Sequence, residues 1–556
     1  MKINPIIKRL LQNRGIVSEE DIREFLSDKP QKTYDPFLLP NMEAGVDLIL
    51  SAVKENLNIC VYGDYDADGI TSTVLMMSIL EHLTDRSRLS YYIPSRFEEG
   101  YGLNQEAIKA ISEAGADMII TVDCGSVSFD EVEYAKELGL KILVTDHHNI
   151  TDVMADCILI NPKHPDSSYP FKELSGCGVA FKVAQALQKK SGMPKSVLTE
   201  VLDLVAIGTV GDIMPLLDEN RTMTKFGLKV INYGKRKSLQ KLILDTHLKP
   251  GAVSSENISY VIVPHLNASG RIGDASQAVE LLLEDCDDDR QNAIVQDIIE
   301  KNRLRKALQE ETFNMCIENI DEEHLPQIII IKTENAHEGI TGIVAGKIKE
   351  TYYRPAIIVT PSGEDDCYLK GTGRSVEGID LYRLLKTQEE LFEKFGGHSG
   401  ACGFLIRKEN FEKLEEGLKE EVSKICADKP DVLERKRNID IVLDEKDLTE
   451  NLGQQLQMLA PFGNKNRKPV IELPGSRICD VRYMGDKKQH ARFVAQSLQS
   501  DAKVQCVMFG KAQDAFSCGK YDEMRKANIT GALDLQIWQG MKRLQFIVEE
   551  IGFDEQ

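Results

Sequence analysis

The chain has 556 residues, 42% of them hydrophobic and 28% charged, which is ordinary globular composition and long enough for three or four domains with sizeable cores. No apolar run approaches the ~18–20 residues of a membrane span, and MKINPIIKRLLQNRGI at the N-terminus lacks the continuous apolar stretch and small-residue cleavage site of a secretory signal. A net charge of −20 argues against a generally basic polyanion binder, so a nucleic-acid site here must be a local basic lining or must recruit metal ions for its positive charge.

Twelve cysteines run from Cys60 to Cys518 without a C-x-x-C pair. That disfavours a zinc ribbon or a redox motif and points to reduced thiols in a cytoplasmic protein. From residue 55 to 160 the pattern alternates. NICVY (58–62) reads as a strand, ITSTVLMMSILEHL (70–83) as a buried helix, ADMIITV (116–122) and LKILVT (140–145) as further strands, with helical NQEAIKAISEAG and SFDEVEYAKELG between them. Strand and helix in this alternation predict a parallel sheet covered on both faces, with chemistry beyond the carboxyl ends of its strands. LDLVAIGTVGDIMPL (202–216) predicts an apolar helix running into a loop at Asp212.

Residues 275–320 predict one long helix, a connector between two lobes, in which the acidic run Glu284–Asp289 is a solvated face or a helix start. A second α/β unit follows, with strands at 327–333 and 355–361 and a glycine-opened helix at 339–352. Beyond the charged linker DKPDVLERKR (428–437), short β-like alternation predicts a small all-β barrel from about 435 to the end.

Chemistry concentrates at the strand exits. The first gives GDYDADG with Asp64, Asp66 and Asp68, the second VDCG with Asp123, and the third DHH with Asp146, His147 and His148. Two unit charges ~4 Å apart at an effective dielectric of about 20 repel by roughly 4 kcal/mol, so three aspartates at alternate positions need a reason. An EF-hand is excluded because its twelfth position, counted from Asp64, is Leu75 rather than glutamate, and a strand precedes the loop. An aspartate-nucleophile phosphatase would account for DADG alone, but not for the next two strand exits. A two-metal centre accounts for all of them: Asp66, Asp68, Asp123, His147 and Asp212 supply the ligands. Asp64 completes one shell, and Asp146 holds the His147 ring from behind. Carboxylates favour Mg²⁺ or Mn²⁺, and the imidazole moves the preference towards Mn²⁺.

In this order, GDYDADG, VDCG, DHH and GTVGDIMPL resemble the four motifs of the DHH phosphoesterase superfamily, and Asp64, where many members carry histidine, is similar to the RecJ exonuclease branch. RLLQNRGI, YIPSRFEEGYGL, LSGCGVAFK, HLNASGRIGDA, HEGITGIVAGKI, GTGRS and FGGHSGACGF extend the resemblance over nearly the whole chain. It implies two α/β lobes of DHH and DHHA1 type joined by a long helix, plus a C-terminal OB-fold barrel. The expected units are 1–274 (catalytic), 275–322 (connecting helix), 323–427 (DHHA1-type, nucleic-acid binding) and 435–556 (OB fold). The implied activity is hydrolysis of single-stranded DNA from the 5′ end to 5′-mononucleotides, using two Mn²⁺ or Mg²⁺ ions bridged by Asp123.

Roles follow from this resemblance together with the residue chemistry. Arg271 offsets phosphoryl charge, and His148 is a candidate to protonate the leaving 3′ oxygen. Arg374, with the hydroxyl of Thr372 where serine is common, contacts phosphate, and Arg96 is placed at the 5′-phosphate end. His398 in GGHSG contacts phosphate or base, and the HEGITG turn offers helix N–H groups. In the barrel, Lys465, Arg467 and Lys468 of PFGNKNRKPV track the strand, with Arg477, Arg482, Lys487, Lys488 and Arg492 nearby and Phe462, Tyr483 and Phe493 interleaved for stacking. Ala336 stands where the family usually has tryptophan, and Lys465 and Arg467 where it often has glycine and proline. Expected partners are single-stranded DNA, a single-strand-binding protein and a helicase, in recombination and repair, with the protein a cytoplasmic monomer. Two alternatives remain open at this level: a phosphodiesterase on oligoribonucleotides or cyclic dinucleotides, and a non-catalytic scaffold in a replication complex.

Overall fold

The computed structural model describes residues 3–553 apart from 97–98, 151–152, 319, 335, 363–366, 437, 487, 517–525 and 539–540, with backbone alone at 514, 536–538 and 541. Lys487 therefore lies outside the described residues. Five parallel strands open the fold: β1 (Ile59–Tyr62), β2 (Leu89–Tyr92), β3 (Met118–Val122), β4 (Lys141–Thr145) and β5 (Ile158–Ile160), in spatial order β2-β1-β3-β4-β5. The runs ICVY and MIITV are buried at every position, because helices cover both faces and leave no polar side to the strand. Ile59, Val61, Met118 and Ile120 pack with helices Ala67–Leu80, Gly176–Ser191 and Leu202–Gly211. Cys60, Tyr62 and Ile119 point the other way, to helices Gln105–Glu113 and Phe129–Glu137. The chain reverses its direction of winding between β1 and β3, and such a switch point leaves a crevice beyond the strand ends.

The helix after β1 starts at Ala67, three residues before the predicted Ile70, because Asp66 caps it: Asp66 Oδ1 accepts from the N–H groups of Asp68 (2.9 Å) and Gly69 (3.1 Å). Its buried hydroxyls are satisfied locally. Thr71, Ser72 and Thr73 each donate to the carbonyl four residues back.

The single helix predicted over 275–320 is two helices, Ser276–Leu283 and Asp288–Ile317. Glu284 turns left-handed (φ 60°) and closes the first, and the Asp287 carboxylate caps the second through the Arg290 N–H. The acidic run is thus a helix boundary, and Arg290 ties it to Glu280 with two 2.8 Å hydrogen bonds. The 30-residue second helix, about 45 Å long at 1.5 Å per residue, carries the chain to the second lobe. There β6 (Ile329–Lys332), β7 (Ala356–Pro361), β8 (Tyr368–Arg374), β9 (Phe392–His398) and β10 (Ala401–Arg407) form a mixed sheet in order β6-β7-β8-β10-β9, packed by helices Glu338–Tyr352 and Phe411–Asp428.

The C-terminal unit has β11 (Ile441–Val442), β12 (Ile471–Met484), β13 (His490–Gln496), β14 (Lys503–Met508), β15 (Lys526–Trp538) and β16 (Met541–Phe553). Pairing of β12 with β15 closes five of them into a barrel. The barrel is the expected one, and helices Glu450–Gln457 and Ala512–Ala515 accompany it. Its core also takes in the other end of the chain. Ile7, Leu10, Leu11, Ile22 and Leu26, from helices Pro5–Asn13 and Glu19–Leu26, pack with Leu452, Leu456, Ile471 and Phe493. The amphipathic N-terminal helices, expected within the unit 1–274, bury their apolar faces there. Helix Asp218–Tyr233 supplies a second tie: Arg221 stacks on Phe25 at 3.8 Å and donates to the carbonyls of Leu459, Met458 and Phe25.

This shared core makes a prediction. Leu11→Ala should destabilise its surroundings by about 2–5 kcal/mol, and hydrogen exchange should speed up in β12–β14 while β1–β4 keep their protection. Unchanged exchange in the barrel strands would contradict the shared core.

Candidate metal centre

The expected ligands converge beyond the carboxyl ends of β1, β3 and β4. His147 Nε2 lies 3.1 Å from Asp123 Oδ1, 3.5 Å from Asp212 Oδ2 and 4.0 Å from Asp68 Oδ2. Three overlapping sets form among the described residues, each with its candidate ligand atoms within 4.8 Å of one another: Asp64, Asp66 and Asp123; Asp68, His147 and Asp212; and Asp123, Asp146, His147 and His148. Asp123 belongs to the first and touches the second through His147.

Local structure explains how acids are held so close. Asp123 adopts the left-handed region (φ 64°), open at modest strain to aspartate, with its N–H on the Thr145 carbonyl at 3.1 Å. The Asp68 carboxylate accepts the N–H groups of Gly176 (2.7 Å) and Cys177 (3.0 Å) at the start of helix Gly176–Ser191, an end that favours anions. A Cβ on Gly176 would stand 2.3 Å from Asp123 Oδ1, and one on Gly208 would stand 2.4 Å from Asp68 Oδ1. Both glycines are therefore spacers for carboxylates. Neither was singled out from the sequence, although the small-residue run SGCG ahead of a helix is a signal for such an approach. Asn267 is a further residue without a sequence signal: its Oδ1 accepts the Ala67 N–H at 2.7 Å and steadies the DADG turn.

The centre has what a cation needs. Asp64 Oδ1, Asp123 Oδ1, Asp212 Oδ2 and both ring nitrogens of His147 are buried without a hydrogen-bond partner, where native cores pair nearly all such atoms. Burial, then the charge of Asp66, raises Asp64 to about 8 and Asp68 to about 7. Burial, then Asp68 and Asp66, raises Asp212 to about 8. Asp123 is lifted well above the carboxylate range by burial and then by its acidic neighbours. Burial and the adjoining His148 lower His147 to about 3, which leaves a neutral imidazole suited to ligation. Oxygen donors with one imidazole fit Mn²⁺ or Mg²⁺.

Asp146 does not hold the His147 ring, as the sequence led one to expect. Its Oδ1 accepts from the His147 and His148 backbone N–H groups (2.7 and 3.2 Å) and lies 2.8 Å from His148 Nδ1. The turn that sends His147 inward leaves His148 beside the carboxylate. Burial opposes a charged His148, but Asp146, then Asp212 and Asp64, raise it to about 9. The Tyr101 hydroxyl, 3.0 Å from His148 Nδ1, also braces the ring; this tyrosine lies in the segment YIPSRFEEGYGL, which by itself gives it no role.

A cationic group gathers where the first lobe meets the second. Arg271 Nη1 donates to the Gly339 carbonyl (3.0 Å) at the start of helix Glu338–Tyr352. Arg96 lies over the Tyr65 ring at 4.7 Å, and Arg374, at the end of β8, stands beside Gly342. Burial, then Arg96 and Arg305, push Arg271 below its ordinary value, and burial followed by Arg96 does the same to Arg374. Burial and then Arg374 lower His398, at the end of β9. Thr372 Oγ1 receives the Thr341 hydroxyl at 3.3 Å. Like charges gathered this way suit an incoming anion.

The run 461–468 is placed differently from expectation. It is a loop ahead of β12 that docks on the catalytic lobe: Ser255 Oγ donates to the Phe462 carbonyl (2.7 Å), and Asn464 bonds Ile213 and Leu216. Lys468 is paired with Glu256 at 3.7 Å and lies near the Phe462 ring, whereas Lys465 and Arg467 are exposed. Phe493 is barrel core, and Tyr483 is exposed.

Comparison with known proteins agrees with this arrangement. Residues 58–209 match the DHH family N-terminal domain, 325–424 the DHHA1 domain and 439–550 the RecJ OB domain. The single-stranded-DNA-specific exonuclease RecJ of Bacillus subtilis (strain 168) is 34% identical over 562 residues, covering 100% of this chain and 69% of that protein. Among solved structures, RecJ from Thermus thermophilus in complex with Mn²⁺ superposes with a TM-score of 0.83 at 26% identity, covering 100% of this chain and 76% of that one. Its complex with Mg²⁺ gives 0.78 at 26% identity, covering 100% and 75%.

The raised carboxyls predict a linkage between pH and metal. Asp64, Asp68 and Asp212 titrate at about 7–8 in the metal-free fold against about 4 in an unfolded chain. Their contribution to stability is thus fully present below about pH 4 and is lost as pH rises to about 8. The gain in unfolding temperature on adding Mn²⁺ to EDTA-treated protein should grow from about pH 5 to about pH 8. An equal gain at both values would contradict the coupling.

Proposed function

Since the chain belongs to the family of the single-stranded-DNA-specific exonuclease RecJ, we propose that it degrades single-stranded DNA from the 5′ end to 5′-mononucleotides with two Mn²⁺ or Mg²⁺ ions. The observation that carries this reading is the two ligand sets joined where His147 Nε2 lies 3.1 Å from Asp123 Oδ1, with buried and unpartnered donor atoms. Asp64, Asp66 and Asp123 would hold one ion, and Asp68, His147, Asp212 and the other side of Asp123 the second. Bound there, the ions supply charge stabilisation and acidify a water.

The chain's own groups do the rest. His148, kept protonated by Asp146 and braced by Tyr101, hands its proton to the leaving 3′ oxygen. Arg271, fixed by the Gly339 carbonyl, faces the phosphoryl oxygens and offsets the charge growing on them. Arg96, Thr372, Arg374 and His398 receive the terminal phosphate, in a cleft bounded by both lobes. Lys465 and Arg467, with the barrel beyond them, hold the strand upstream. Lys468 contributes less, because Glu256 already occupies it.

The phosphodiesterase and scaffold alternatives are not favoured: similarity to RecJ runs the whole length, barrel included, and every acid and imidazole of the centre is present. No helix of the described residues is long and apolar enough to cross a membrane, and the described cysteines are free. A cytoplasmic monomer working with a single-strand-binding protein and a helicase in recombination and repair fits this reading.

With a single strand labelled at either end, only the 5′ label should be released at once as a mononucleotide, in Mn²⁺ or Mg²⁺ and not in EDTA. Asp123→Ala should slow release by more than about 100-fold while strand binding stays within about threefold. Early release of a 3′ label would refute the direction, and an active Asp123→Ala enzyme the sharing of Asp123.

A further inference from the structure

Ile213 directly follows the ligand residue Asp212 and has φ 55°. A β-branched side chain rarely adopts this left-handed conformation and pays strain for it. Packing does not force it, because the Ile213 side chain is 69% exposed. Locally the turn closes helix Leu202–Gly211 as a left-handed cap, with the Ile213 N–H on the Val210 carbonyl (3.2 Å) and the Met214 N–H on the Thr209 carbonyl (3.1 Å), and it is held from outside as well. Asn464, 251 residues further along, donates from Nδ2 to the Ile213 carbonyl at 2.7 Å, and its own carbonyl accepts the Leu216 N–H at 2.9 Å.

The loop bearing Asn464 is itself rigidly built. Asn466 Nδ2 closes it on the carbonyls of Leu459 (2.9 Å) and Pro461 (2.7 Å), and Arg14 grips Asn466 Oδ1 and the Arg467 carbonyl. A Cβ on Gly463 would meet Leu216 Cδ1 at 2.7 Å, so the loop lies flush against the turn. Asp212 sits at the C-terminal end of helix Leu202–Gly211 with Oδ2 turned to His147. Where the next residue goes decides where that carboxylate points.

We infer that Asn464 is a positioning residue for the metal centre: from the barrel side of the molecule it holds the strained Asp212–Leu216 turn and so presents Asp212 to its ion. The claim rests on the proposed ligand role of Asp212. It also ties the loop carrying the exposed Lys465 and Arg467 to the centre by two hydrogen bonds.

The test uses the full-length chain, with Mn²⁺ binding followed by calorimetry and by the electron paramagnetic resonance signal of free ion. Asn464→Ala should raise the Mn²⁺ concentration that half-fills the weaker site by about tenfold, the lower end for groups that orient a ligand. Added Mn²⁺ should restore cleavage, and the unfolding temperature in EDTA should hardly move. Asparagine enters the left-handed region more readily than isoleucine, so the double variant Ile213→Asn with Asn464→Ala should recover most of the lost affinity. Asn464→Asp, of the same shape but unable to donate, should match Asn464→Ala and serves in its place if the alanine variant does not fold. Wild-type Mn²⁺ binding in the Asn464 variants, or a double variant no better than Asn464→Ala, overturns the inference. Asp212→Asn separates the two claims: if it too binds Mn²⁺ like wild type, the ligand role fails, whereas loss there with none in the Asn464 variants refutes the positioning alone.

Discussion

The mutual repulsion of buried carboxylates at one edge of a parallel sheet governs this molecule. Asp64, Asp68 and Asp123 are almost wholly removed from water, Asp66 and Asp212 stand beside them, and the nearest imidazole, His147, is neutral. Such a group is unstable as a set of anions in a low dielectric. Protons resolve the conflict at low pH and divalent cations at neutral pH. The surrounding fold resists the remaining strain: a helix N-terminus against Asp68, a cap formed by Asp66, a left-handed backbone at Asp123, and two glycines that leave room where any side chain would collide.

The same constraint explains the division of charge. Acids gather on the first lobe, while Arg374 and His398 come from the second and Arg271 reaches across to it. A phosphodiester between the lobes would meet cations on one side and arginines on the other, and neither set alone makes a site. The two-part connector carries the chain from one lobe to the other. The barrel, sharing a core with the first two helices and docked through Arg221 and the loop 461–468, fastens the chain's ends to the catalytic lobe.

Much of this was legible in the sequence because parallel strands buried on both faces read as unbroken apolar runs, as ICVY and MIITV do. Motifs at their exits then fall together by topology alone. What escaped were features set by neighbours distant along the chain or by one backbone angle. Which ring Asp146 holds cannot be read from DHH, because the adjacent rings are told apart only by the turn. The helix break at Glu284 hid in a run that favours helix on either side. The placement of Pro5–Leu26 in the barrel core and of Asn464 against Ile213 spans more of the chain than local periodicity reports. Gly176 and Gly208 read as ordinary helix residues until the carboxylates opposite them are known.

The most direct test of the central claim is anomalous diffraction at the manganese edge from crystals soaked in Mn²⁺. Two peaks roughly 3.5–4 Å apart are expected beyond β1, β3 and β4, with one Asp123 oxygen on each. A single peak, or two with Asp123 bound to neither, would contradict it.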